Sequence, residues 1–319
     1  TVSRALTGHS DVSEATRTAV MGLAKKLSYL PDPNAVGLRQ NKTFVIGIIV
    51  PRITNRFFSK AISGIEKVAN SNGYKIMVTQ SSESFEIEEE CIATMLNNRV
   101  DGLIVSLSRQ TTDLRHFTNI IESDIPVVLF DRVDESMDVS KVIIDDYEAS
   151  YKLTEHFIEQ GCKKIGKVAG PQNLVTCKNR LNGYKDALKD YELEFDEDWL
   201  VFSEYYTDKV KKITQYYTGL ENRPDAIMTI NDSFAMEMMH YLKEMNIRIP
   251  QDIALAGFNN EHYCNFLTPT LTSVEIPADQ LGHEAALLLM DQLGNPTLSA
   301  KRKLLKSKLV IRNSTRLKF

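Results

Sequence analysis

From Phe44 onward the sequence keeps one alternation: a short apolar run of strand type, then an amphipathic stretch of helical period. "FVIGIIV" (44–50) has the unbroken apolar character of a strand buried on both faces. "FFSKAISGIEKVANSNG" follows as a helix, with Ala61, Ile65, Val68 and Ala69 on one face and Gly73 as its stop. "YKIMVTQ", "GLIVSLS", "IPVVLFD" and "KVIIDD" supply further strands, with helices through Ile87, Cys91 and Met95 and near 113–123 between them. Strands spaced by helices of roughly 10–15 residues cannot pair as hairpins, so they predict a parallel sheet covered on both faces.

A second copy of the plan begins near residue 147. Helix 148–160 leads to strand "KKIGKVAG", helix 177–190, strand "WLVFSEY", a helix near 208–219, strand "DAIMTIN", helix 233–245 and strand "DIALAGF". Two doubly wound α/β lobes facing each other create a cleft at the carboxyl ends of their strands, where ligands of such sheets bind. The late elements "LTSVEIP", helix 278–293 and "SKLVIRNST" are expected to cross between the lobes and complete both. The expected divisions are 1–43, then 44–146 with 277–308, then 147–276 with 309–319.

Residues 1–43 differ in kind. Residues 1–42 carry six basic side chains against three acidic, a net +3, whereas the whole chain is −4. A basic head on an acidic body is suited to meet a polyanion. Arg4 lies inside the first apparent helix. Ser13 reads as the N-cap of a second, with Val20, Ala24 and Leu27 on one face, and Pro31 and Pro33 end it. "NAVGLRQNKT" is a linker with a turn or two of helical potential.

No enzyme signature is present: there is no GxGxxG, Walker A loop, HExxH or GxSxG. The six histidines lack metal-ligand spacing, and the four cysteines form no CxxC pair, which fits reduced thiols in the cytoplasm. The acidic runs "FEIEEE" and "EFDEDW" read as solvated helix starts or turns. No catalytic residue, metal site, cofactor or membrane span is expected.

The strand ends are richer. "PRITNRFF" places Phe57 and Phe58 at a helix start beside the cleft, where a ring face can stack on a sugar or base. "FDRV" puts Asp131 and Arg132 just past a strand. "CKNRLNGY" sets Arg180 in the first turns of a helix, read as a ligand contact. "TIND" ends a strand on Asn231, with Asp232 as the N-cap of the next helix, and "AGFNNE" brings Asn259 and Asn260. Forked guanidinium, amides and carboxylate suit a polyhydroxylated or heterocyclic small molecule.

"TVSRAL", "DVSEATR", "LPDPNAVGLRQNKT", "VDGLIV", "IPVVLFDR", "GCKKIGKVAGP", "NRLNGYKDAL", "NDSFAM", "RIPQDIALAGFNN" and "TPTLTSVEIP" occur in this order along the chain. Together they resemble the LacI/GalR family of bacterial transcriptional regulators over essentially all of it. The resemblance implies a helix-turn-helix headpiece, a hinge helix, and a two-lobed effector domain like periplasmic sugar-binding proteins. It implies a cytoplasmic homodimer, a repressor whose operator affinity follows a small-molecule effector, expected to be a sugar or sugar derivative. On this resemblance Thr1, Ser3 and Arg4 fall in the rear of the recognition helix, and Leu38 matches the hinge leucine that wedges into the minor groove. Gly37 beside it weakens the hinge helix by about 1 kcal/mol relative to Ala, so ordering is expected only on DNA. The headpiece's positioning helix is expected to be absent and the remnant loosely held. In the cleft the resemblance selects Phe57, Phe58, Asp131, Thr176, Arg180 and Asn231. Asn259 stands where better-known sugar and purine repressors carry Asp, offering both donor and acceptor. A solute-binding protein of the same architecture would have no use for residues 1–43, and an enzyme would need a catalytic constellation that the sequence lacks.

Overall fold

The computed structural model describes residues 2–6, 10–27, 29, 42–205 and 208–316, which divide into two compact units, Thr1–Phe44 and Val45–Phe319. In the first unit, α1 (Val2–Leu6) and α2 (Glu14–Lys26) bury little beyond Ala5 and Val12. Ser13 caps α2 as expected, its hydroxyl accepting the Thr16 amide at 3.4 Å. Met21, Leu23 and Leu27 are exposed.

The second unit holds two six-stranded sheets. The first contains β1 (Val45–Val50), β2 (Lys75–Gln80), β3 (Gly102–Val105), β4 (Val127–Phe130), β5 (Ser140–Ile144) and β11 (Arg302–Leu305), all parallel, in the order β11-β5-β4-β3-β1-β2. The second contains β6 (Ile165–Ala169), β7 (Leu200–Phe202), β8 (Ala226–Met228), β9 (Ala254–Phe258), β10 (Thr272–Glu275) and β12 (Lys308–Val310), in the order β12-β10-β9-β8-β6-β7. Only β12 runs antiparallel. Each sheet reverses its winding beside its first strand, between β1 and β3 and between β6 and β8. These switch points are where a doubly wound sheet opens a crevice. The apolar run expected at 199–205 is a strand for only three residues, because Glu197–Trp199 forms a short 3-10 turn before it.

Helices cover both faces of each sheet. Around the first lie α3 (Arg56–Ser71), α4 (Phe85–Asn97), α5 (Arg115–Glu122) and α10 (Ala278–Gly294); around the second lie α6 (Asp146–Glu159), α7 (Val175–Asp190), α8 (Val210–Gly219) and α9 (Asp232–Glu244). On one face of the second sheet, Ile227 and Leu255 meet Phe234 and Met238. On the other, Met228 and Phe258 meet Leu153, Phe157 and Tyr184.

The acidic run at 85–90 needs correcting. Glu88 is wholly buried, because it shares the inward stripe of α4 with Cys91, Ile92 and Met95. Its carboxylate is held by the Ser108 amide (2.6 Å), the Thr111 hydroxyl (2.7 Å) and His116 Nε2 (2.9 Å). It therefore pins the loop after β3, which borders the cleft.

Helices α3 and α10 cross with their backbones almost touching. A Cβ built on Gly282 would fall on the Ala61 carbonyl, and one on Gly64 on the Asp279 carbonyl. The contact is backbone to backbone, so no side-chain rotamer can relieve it. Gly282→Val should cost about 3 kcal/mol or more of stability, read as a lowered midpoint in urea unfolding followed by circular dichroism. An unchanged midpoint would show that the crossing is looser than described.

Candidate functional site

The loops after β1, β2, β4, β6, β7, β8 and β9 converge where the two sheets face each other. Several of these loops hold residues other than glycine in the left-handed region. Glu83, Asp131, Asn259 and Asn260 all have positive φ, at 65°, 58°, 100° and 47°. Side chains other than glycine hold such angles only when the surroundings enforce them, and functional loops are where they do.

In the first lobe, Asn55 caps α3 by accepting the Phe57 amide at 2.9 Å, which sets Phe57 and Phe58 on the first turn. Both rings are buried and meet edge to face at 5.1 Å; Phe58 also packs against Phe130. Arg132 lies 5.8 Å over the Phe58 ring and donates to Glu83 Oε2 at 2.6 Å. Asp131 makes no side-chain hydrogen bond among the described residues. Burial, opposed by Arg132, pushes its carboxyl up to about 7.

In the second lobe, Thr176 and Arg180 stand one turn apart on α7, both buried. Arg180 Nε donates to Asp146 Oδ1 at 2.6 Å, and its guanidinium carbon lies 4.2 Å from the centre of the Phe258 ring. Burial raises the Asp146 carboxyl, with Arg180 working against the shift. Beneath them the Lys167 amine, pushed down to about 7 by burial and then by Arg180, has Met228 Sδ at 2.8 Å and Ser150 Oγ at 3.4 Å.

At the end of β8 the assignment of roles changes. The N-cap of α9 is Asn231, not Asp232: Asn231 Oδ1 accepts the Phe234 amide at 2.8 Å and the Ser233 hydroxyl at 2.9 Å. Its Nδ2 donates to the Tyr205 carbonyl at 3.5 Å, so both ends of the Asn231 carboxamide are engaged within the protein. Asp232, one residue into the helix, is fully buried and accepts Ser273 Oγ at 2.6 Å and the Glu261 amide at 2.8 Å. It braces the loop after β9. There the Asn259 carboxamide makes no hydrogen bond among the described residues, while Asn260 Oδ1 accepts from Arg312.

Sequence reasoning missed Tyr205. It follows β7, its hydroxyl lies 3.0 Å from Cys177 Sγ, and its ring lies 5.4 Å from the Arg132 guanidinium of the other lobe. The available signal was an aromatic just past a strand end, as with Phe57 and Phe58. The lobes are bridged by Arg56 to Glu261 at 3.3 Å and Arg109 to Glu204 at 2.5 Å. Within the second lobe, Lys167, Arg180, Tyr205 and Phe258 line a small cavity of about 10 Å³, room for roughly one water.

Of the residues expected on DNA, Thr1 and Leu38 lie outside the described residues, as does the side chain of Ser3. Arg4 is exposed, with Asp11 3.8 Å from its guanidinium.

Residues 154–315 match the periplasmic binding protein-like domain, and residues 1–32 match the bacterial regulatory proteins of the lacI family. The chain is 30% identical over 318 residues to the HTH-type transcriptional repressor CytR of Escherichia coli (strain K12), covering 99% of this chain and 92% of that one. It is 31% identical over 318 residues to the NTD biosynthesis operon regulator NtdR of Bacillus subtilis (strain 168), covering 99% and 95%. Among solved structures, a transcriptional regulator CelR–cellobiose complex is similar with a TM-score of 0.79 at 26% identity, covering 98% of this chain and 95% of that one. The DNA-binding and ligand-binding modules follow one another along a chain that resembles named repressors over nearly its full length. It belongs to the LacI family, bacterial transcriptional regulators whose hold on operator DNA is controlled by a small-molecule effector.

Proposed function

We propose that this protein is a cytoplasmic homodimeric repressor whose effector is a neutral carbohydrate or carbohydrate derivative held between the two lobes. The supporting observation is the charge balance of the cleft. Arg132 is matched by Glu83, Arg180 by Asp146 and Arg109 by Glu204. Each of these guanidinium groups already has its carboxylate, and at the buried Arg132 and Arg180 pairs a phosphate or carboxylate on the effector would have to displace it at the cost of a buried unpaired charge. Asp131 and Asn259 remain with hydrogen-bonding capacity to spare. A carboxylate that accepts and an amide that does both suit vicinal hydroxyls, and the rings of Tyr205 and Phe57 offer faces for the C–H side of a sugar.

The second lobe anchors the effector through Arg180, and Thr176 adds a hydroxyl one turn away. Thr1, Ser3, Arg4 and Leu38 contact the operator at phosphate or base edges. No helix among the described residues is long and apolar enough to cross a membrane.

Two measurements test this. A thermal-shift screen of neutral sugars should raise the melting temperature by mass action. Arg180→Ala should abolish both that rise and the sugar's effect on operator affinity measured by fluorescence anisotropy, while sugar-free operator affinity stays within twofold. A retained sugar response in Arg180→Ala would overturn the assignment. The second is pH dependence. With its carboxyl raised to about 7, Asp131 is largely protonated at pH 6 and ionised at pH 8. Sugar hydroxyls donate to the ionised form, so affinity should rise about tenfold from pH 6 to pH 8 by linkage. Asp131→Asn should remove that rise; a pH profile the same in both proteins would contradict the role.

A further inference from the structure

Two residues of the first lobe reach the second from different loops, and both are held by one oxygen that belongs to a third loop. Arg109, after β3, makes two contacts across the join. Its guanidinium pairs with Glu204, which follows β7, and its carbonyl accepts the carboxamide of Asn173, which follows β6. Arg132, after β4, has its guanidinium 5.4 Å from the centre of the Tyr205 ring. Glu83 lies on the loop after β2, and its Oε2 accepts both the Arg109 amide at 3.0 Å and Arg132 Nη1 at 2.6 Å.

Glu83 is itself set in place. It and Ser82 have consecutive positive φ angles, 65° and 53°, which side chains hold only where the surroundings enforce them. The Ser81 amide donates to the Val50 carbonyl and the Ser84 amide to the Ser81 carbonyl, each at 3.0 Å, closing a turn around the pair. Ser81 Oγ lies 2.6 Å from Ser108 Oγ, which ties this loop to the one that carries Arg109. The Glu83 and Arg132 side chains are only 12% and 7% exposed, so water does little to weaken the shared bond. Burial of Arg132 explains why a carboxylate stands there. It does not explain the bond to the Arg109 amide, because the Arg109 guanidinium has its own carboxylate across the join. That bond fixes the backbone of the residue whose side chain and carbonyl both cross to the second lobe.

We propose that Glu83 is the positioning residue for the join between the lobes. By holding Arg109 and Arg132 on one oxygen, it keeps their contacts to the second lobe in register and makes a shift of either one felt by the other. Arg132 adjoins Asp131, so a displacement at the cleft wall reaches the Arg109 bridge through a single atom. The proposal is independent of which effector the cleft takes.

Hydrogen–deuterium exchange of the full chain, without any ligand, tests this. Glu83→Met keeps the length of the side chain and removes both acceptors. Exchange in the second-lobe segments 171–174 and 203–205 should speed up about fivefold, although Glu83 touches neither. A role confined to its own lobe would speed up only residues 81–84 and 107–111. Arg109→Ala should accelerate the same second-lobe segments, and the double variant should stay within about twofold of Glu83→Met, because both changes remove one connection. A cooperative circular dichroism melt confirms folding. Should Glu83→Met not fold, Glu83→Asp carries the same test, since it keeps a charge for Arg132 but is one methylene too short to serve both donors. Unchanged second-lobe exchange in the folded variant, or single effects that multiply in the double variant, would overturn the proposal.

Discussion

The buried pair between Arg180 and Asp146 is the interaction on which the cleft depends. A guanidinium and a carboxylate taken out of water are costly unless each has the other in close geometry. Here the 2.6 Å hydrogen bond satisfies one edge of Arg180, and Phe258 takes its face at 4.2 Å. Because Arg180 is on the second turn of α7 and Asp146 begins α6, the pair also fixes how those helix ends meet. Gly183, whose missing side chain lets α7 rest on the Tyr147 carbonyl, keeps them close enough for the bond to form. Strand β9 then has to deliver Phe258 to the same spot. One polar contact thus ties two helices and a strand into a rigid floor.

The rest of the cleft is softer. The ion pairs that cross between the lobes, Arg56 to Glu261 and Arg109 to Glu204, join partly exposed side chains, and such pairs contribute roughly 1 kcal/mol or less each. A rigid floor with weak bridges across the mouth is how a two-lobed protein can respond to a ligand, since a few kcal/mol of differential contact shifts the balance between open and closed. Tyr205 sits at the join, bonded to Cys177 in its own lobe while its ring meets Arg132 of the other.

The architecture was legible because its cause is periodic. Buried parallel strands must be apolar throughout and their helices must alternate, so both sheets could be read from "FVIGIIV" and its successors. Ser13 as a cap followed from local chemistry, and the structure repeats it. The errors have a common origin in distance along the chain. Nothing near Asp232 reveals that Ser273 and the Glu261 amide will claim its carboxylate, so the cap was assigned one residue late. Glu88 looked solvated beside Glu89 and Glu90, and the Ser108 amide, Thr111 and His116, brought in from beyond its own helix, explain its burial. Tyr205 escaped notice because its partners Cys177 and Arg132 are 28 and 73 positions away, counted along the sequence. Groups that act alone were readable, whereas groups whose role is set by a partner from another loop were not.

In the proposed closure, a sugar is held between the floor set by Arg180 and the loops that carry Asp131 and Asn259. Hydrogen–deuterium exchange, with and without a sugar that raises the melting temperature, tests it most directly. Protection is expected in three segments: the residues after β4, the first turns of α7 and the residues after β9. Protection confined to other surfaces, with these three unchanged, would contradict it.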